Sequence, residues 1–142
     1  MSPFFSRKIL IALRHVISQG WDADTAYPNS GAAKGRSEGQ CYVTSRLLKE
    51  FHVFGRVAMG KVGNYEGIHC WYEDEVNGET WIIDLTADQR GIGKGTIVVG
   101  PLADFPDYRR TGYVTDSEAR ASKSKAFVRY LLLKQRFRNN SK

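Results

Sequence analysis

The chain has 142 residues, of which 42% are hydrophobic and 25% charged, and its formal net charge is +6. That length suits one domain, residues 1–142, with a core that needs no staples, and the composition excludes collagen-like and disordered classes. Two cysteines exclude a disulfide framework, and no apolar run reaches the ~18 residues of a membrane span, so the expectation is a cytoplasmic protein with no membrane partner.

Residues 4 to 18 predict an amphipathic helix. Phe5, Ile9, Ala12, Leu13 and Val16 fall on one side, with Arg7, Lys8 and Arg14 elsewhere. The cations ahead of the run Ile9 to Leu13 superficially resemble a signal peptide. Arg14 and His15 interrupt that run, and no small-residue cleavage site follows. Gly20 ends the helix. Trp21 to Arg36 is rich in turn formers and predicts a loop. Its two large rings, Trp21 and Tyr27, either pin it to the core or line a substrate cleft.

Ser37 to Phe51 reads as a loop turning into a helix, with Ser37 or Gly39 as cap and Cys41 in the first turn. Val43, Leu47, Leu48 and Phe51 fall near helical spacing. A thiol there sits in the positive end of the helix dipole, which lowers its pKa and exposes the nucleophilic thiolate. The helix is expected to end near Phe51 or His52. Arg56 to Val62 predicts a strand, and Gly63 to Gly67 a turn.

Ile68 to Val76 and Glu79 to Leu85 are two strand-like runs separated by Asn77-Gly78, a strong hairpin signal. If those two residues form the whole loop, Val76 pairs with Glu79 and Trp71 faces Asp84. His69 then shares a face with Trp71, which puts it diagonal to Asp84, about 7 Å away. A loop longer by one residue would put the imidazole and the carboxylate on opposite faces.

Beyond the hairpin, Gly91-x-Gly93-x-Gly95 lacks a following helix and reads as a turn rather than a phosphate loop. Thr96 to Val99 predicts a short strand, Pro101 to Thr115 a loop, and Ser117 to about Arg138 one long helix with Phe127, Tyr130, Leu131 and Leu133 as its contacts. Asn139 to Lys142 should fray. Residues 119 to 142 hold eight Lys or Arg and no acid, so the rest of the chain is slightly acidic. This basic segment is either a solvated helix face or a contact for nucleic acid or an acidic protein.

Three side chains make a chemical case. Cys41 is the expected nucleophile, His69 its base, and Asp84 the group that orients the imidazole. The Cys41 backbone N–H and the Gln40 side chain are candidate oxyanion donors. Cys70 alternates with His69 and reads as core. Cys41, His69 and Cys70 could also be zinc ligands, but the alternation and the lack of a C-x-x-C pair argue against it. No cofactor and no metal is expected.

Gly39-Gln40-Cys41, His69-Cys70-Trp71 and Asp84-Leu85-Thr86-x-x-Gln89 resemble the small YunG-like bacterial proteins. Trp21, Tyr27-Pro28, Ser37 and Arg129 to Lys134 fit the same resemblance. More broadly, the cysteine helix, the His-x-Trp strand and the Asp-x-Thr strand end resemble the transglutaminase-like branch of the papain-like fold. That implies an α+β fold, with a nucleophile helix packed on a small antiparallel sheet and helices at both ends. It also implies Cys41, His69 and Asp84 as a triad. Many papain-like proteases place an oxyanion glutamine several residues before the cysteine, where this chain has Lys34, Gly35 and Arg36. Gln40 is the only glutamine near.

Two functions are therefore expected. The first is a thiol enzyme acting on a peptide or protein amide through an acyl-cysteine, as a peptidase, deamidase or acyl transferase. Its cleft would be lined by Trp21, Tyr27 and Trp71, and a closed apolar channel there would favour transfer by excluding water. The second is an inactive binding module that uses the basic C-terminal segment.

Overall fold

The computed structural model describes residues 6–52, 54–90 and 95–141. Four helices, α1 (Arg7–Ser18), α2 (Cys41–Leu48), α3 (Asp116–Ala121) and α4 (Ala126–Asn140), accompany five strands. These are β1 (Arg56–Val62), β2 (His69–Val76), β3 (Glu79–Asp84), β4 (Val98–Pro101) and β5 (Tyr108–Val114). The strands form one antiparallel sheet in the order β4-β3-β2-β1-β5. The mixed α+β architecture matches the expectation at that level.

The β2–β3 hairpin turns on Asn77 and Gly78 alone. Both have positive φ, 52° and 80°, as a type I′ turn requires. Val76 therefore pairs with Glu79, and the register runs on to Tyr72 with Ile83.

The sheet is covered on both faces. On one, Leu10 and Ile17 of α1, Val43, Leu47 and Leu48 of α2, and Tyr130 and Leu133 of α4 pack with Val57, Tyr72, Ile83 and Leu85. On the other, Ala58, Val62, Trp71, Ile82 and Tyr108 form a smaller cluster, with Leu102 and Phe105 against it.

Several expectations need correction. The inner face of α1 is rotated: Leu10 and Ile17 are buried, while Ile9 and Ala12 are exposed, and Phe5 lies outside the described residues. The cause is Arg14, which hydropathy assigned outward. Its Nε donates to the Leu85 carbonyl at 2.8 Å, its Nη2 to Asp88 at 2.7 Å, and its guanidinium lies over the Trp21 ring. The cysteine helix ends at Leu48, earlier than expected, and Phe51 stays exposed.

The long C-terminal helix is two helices. Ser122 is extended, and its hydroxyl accepts the Ser124 N–H at 3.1 Å, so a side chain captures a donor that the helix needed. Lys125 is left-handed, with φ 56°. Leu131 is exposed, while α4 continues to Asn140. Tyr108 to Val114, expected as loop, is a strand at the sheet edge. Its outer residues are polar and its partner β1 lies far away in sequence, so local pattern carries no signal of it. The strand expected at Thr96 is Val98–Pro101. Of the glycine cluster at 91–95, residues 91–94 lie outside the described residues, and the Gly95 N–H donates to Asp88.

Candidate functional site

Cys41 is the first residue of α2. The turn before it needs glycine: Gly39 has φ +77°, and a Cβ there would lie 2.2 Å from Ser30 Oγ. The loop is then stapled around the helix start. Trp21 Nε1 donates to Thr44 Oγ1 at 3.0 Å, and the Tyr27 N–H to the Gly39 carbonyl at 2.9 Å.

His69 opens β2 and is fully buried. Its Nε2 meets Asp84 Oδ2 at 2.7 Å, across the hairpin as the register requires. Asp84 is held by more than His69. The Tyr108 hydroxyl donates to Oδ2 at 2.6 Å, and the Thr86 N–H and hydroxyl donate to Oδ1 at 3.0 and 3.2 Å. A carboxylate with four hydrogen bonds stays ionised despite burial. Burial pushes its pKa up, but the His69 charge and these bonds leave it below the usual range.

The other imidazole nitrogen, Nδ1, lies 3.1 Å from Gln89 Nε2. It is the nitrogen left to face Cys41, whose sulfur hydrogen-bonds His69. The imidazole thus lies between a thiol and a carboxylate. The Cys41 sulfur also accepts a hydrogen bond from the Cys70 thiol and one from the Cys70 backbone N–H. The β2–β3 pairing reaches to Tyr72, while His69, Cys70 and Trp71 stay paired with β1.

These contacts set the protonation states. The hydrogen bond from Cys70 lowers the Cys41 pKa most; burial opposes it, and the His69 hydrogen bond and charge add to it, so the thiol falls well below its ordinary value. Burial alone would discharge His69, but Asp84 and the Cys41 thiolate outweigh it and raise the imidazole to about 10. Cys70 moves the other way: its bond to Cys41 and its burial keep it protonated. These shifts favour a thiolate–imidazolium pair over a neutral thiol and imidazole.

The imidazolium Nδ1–H has the Cys41 sulfur as its acceptor, and Gln89 stands beside it. Its Oε1 is buried with no hydrogen-bond partner among the described residues. Turning the amide over would point Oε1 at Nδ1.

The other expected site residues divide. Tyr27 is 60% exposed and stands beside the helix start. Trp21 is fully buried in the helix-side core, which corrects the cleft assignment: it pins the loop. Trp71 is likewise fully buried. It stacks on His69 with centroids 6.3 Å apart and donates Nε1 to Glu73 at 2.8 Å, so it supports the imidazole rather than lining a cleft. Gln40 is buried too. Its Oε1 accepts from Thr25 Oγ1 at 2.8 Å and its Nε2 donates to the Asp22 carbonyl at 2.9 Å, so its side chain is a strut of the loop. Among the described residues, no cluster of three or more His, Cys, Asp or Glu could hold a metal ion.

A family model described as YunG protein matches residues 10–142. The chain belongs to the YunG family. No curated protein and no solved structure matches it.

In this YunG-family chain, sequence reasoning missed three partners of the site. Tyr108 carried no signal, because it lies on the unrecognised strand β5. Cys70 was dismissed by strand alternation, which assumes a helix can meet only one face. At the start of β2 the sulfur reaches the residue on each face. Gln89 had one signal, its spacing in Asp84-Leu85-Thr86-x-x-Gln89, and the 3₁₀ turn Ala87–Arg90 brings it back over His69.

Proposed function

We propose that the protein is a thiol enzyme that hydrolyses an amide through an acyl-cysteine intermediate, on a papain-like, transglutaminase-like layout. The observation that carries this is the buried imidazole between Cys41 and Asp84, with Nε2 on the carboxylate and Nδ1 left for the sulfur. In the first step the Cys41 thiolate adds to the amide carbon. The His69 imidazolium then gives its Nδ1 proton to the departing nitrogen as the C–N bond breaks, leaving a thioester. In the second step the now neutral imidazole takes a proton from water as its oxygen adds to the thioester carbon, and Cys41 leaves as the thiolate. Asp84 fixes the tautomer and stabilises the imidazolium throughout. The backbone N–H of Cys41 is among the first N–H groups of α2, which have no intrahelical acceptor, and it serves as oxyanion donor.

Hydrolysis is favoured over acyl transfer because Trp21 and Trp71 are packed in two separate clusters and do not line a common channel. The binding-module reading draws less support. Three cations of α4 are engaged within the molecule: Lys134 with Glu50, Arg136 with Asp22, and Arg129 with the Thr25 carbonyl.

The test is thiol reactivity followed by turnover. Iodoacetamide should alkylate Cys41 well below pH 8, and His69→Ala should slow that alkylation about tenfold or more at pH 6. Amine or ammonia release from a glutamine-containing peptide library should vanish in Cys41→Ala. Titration of Cys41 near about 8.5, as for a free thiol, would sink the proposal.

A further inference from the structure

Arg129 is buried, with 9% of its surface exposed. A guanidinium removed from water is costly unless an anion compensates. Arg14, Arg46, Arg110 and Arg136 each face a carboxylate: Asp88, Asp116, Glu73 and Asp22. Arg129 has no carboxylate partner among the described residues. Its bonds go to neutral oxygens: Nε to the Ser124 carbonyl at 3.0 Å, Nη2 to Ser124 Oγ at 3.1 Å, and Nη1 to the Thr25 carbonyl at 3.3 Å. A guanidinium has five N–H donors, so two remain.

The position of this charge ties it to the thiol. Thr25, which accepts from Nη1, is bonded through its hydroxyl to Gln40, the residue before Cys41. The exposed Tyr27 ring has the guanidinium 5.8 Å from its centroid, and the Tyr27 backbone is bonded to Gly39. Burial weakens the Arg129 charge, and foremost among the groups that support it is Cys41. Tyr42, next on α2, has a buried hydroxyl with no hydrogen-bond partner among the described residues; burial and Asp116 push it up to about 12, against Arg46 and Arg129.

We infer that Arg129, covered by Tyr27 and assisted by the Tyr42 hydroxyl, forms a carboxylate-binding subsite beside Cys41, so that the favoured substrate is an amide bearing a nearby carboxylate. This rests on Cys41 being the reactive thiol. Two spare guanidinium donors and a phenol match the oxygens of one carboxylate, and a site already shielded from water strengthens that pairing.

Two alkylating agents of nearly equal size separate the possibilities: iodoacetate carries a carboxylate and iodoacetamide does not. At pH 8, the rate ratio of iodoacetate to iodoacetamide at Cys41 should exceed that of the same chain unfolded in urea. Arg129→Gln should lower the ratio about tenfold. Tyr42→Phe, which removes only an unpartnered hydroxyl, should lower it about two- to threefold. Should Arg129→Gln fail to fold, Arg129→Lys, which keeps the charge but loses the fork, should give an intermediate ratio. A ratio unmoved by Tyr42→Phe and by the Arg129 variant that folds overturns the subsite, while fast iodoacetamide alkylation still supports the thiol enzyme. Slow reaction with both agents below pH 8 overturns the enzyme reading and the subsite together.

Discussion

Each member of the site has its protonation set by a different neighbour, and single substitutions separate them. Cys70 gives Cys41 its strongest stabilisation as a thiolate. Cys70→Ala should therefore move the acid limb of Cys41 alkylation to higher pH, with no change on the alkaline side. Asp84 is the main support of the His69 charge. Asp84→Asn should move the alkaline limb of turnover below about 10, because an imidazole that loses its proton earlier cannot protonate the leaving nitrogen. The two limbs should shift independently when turnover is recorded against pH. Tyr108→Phe removes one of four hydrogen bonds on Asp84 and leaves its charge, so it should raise the Asp84 pKa in a titration while the alkaline limb of turnover stays in place.

At the scale of elements, two contacts decide where these residues stand. Arg14 of α1 grips the segment after β3 at the Leu85 carbonyl and at Asp88, close to Thr86 and Gln89. Arg14→Ala leaves Asp88, whose side chain is 7% exposed, without this cation and should cost about 2–4 kcal/mol in urea unfolding. On the far side of the sheet, β5 bends along β1 at a bulge between Met59 and Gly60. A Cβ on Gly60 would meet the Arg109 carbonyl at 2.2 Å, so backbone has to move. Gly60→Ala should cost roughly 1–3 kcal/mol and loosen Tyr108 from Asp84, detectable as a fall in both urea midpoint and turnover.

For the whole molecule, the thiolate–imidazolium pair makes stability depend on pH in a signed way. His69 has a folded pKa of about 10, above its ordinary 6.5. Its contribution is full below 6.5 and is lost as pH rises through about 10. Cys41 is lowered, so its contribution is present above the unfolded thiol value of about 8.5 and is lost on acidification. The two slopes oppose each other between about pH 6.5 and 8.5. Above it the losses from His69 and from the raised Cys70 thiol add, so the urea midpoint should fall between about pH 8.5 and 10, and His69→Asn should reduce that fall.

The sequence by itself determined the parts that depend on short-range geometry. Asn77-Gly78 dictates a two-residue turn, and a period of two along each strand then brings His69 and Asp84 to one face. Cys41 at a helix start was legible for the same reason, since local turn chemistry and helical spacing extend over a few residues. Tertiary structure decided everything that depends on which surface meets which. Arg14 points inward because a carboxylate and a carbonyl await it, Trp21 and Trp71 are core because layers close over them, and Tyr108 joins a sheet through a partner distant in sequence. Cys70 meets Cys41 because α2 packs on the face of β2 that carries Cys70. Local pattern encodes direction along one element, whereas hydrogen-bond partners and burial are properties of two elements at once.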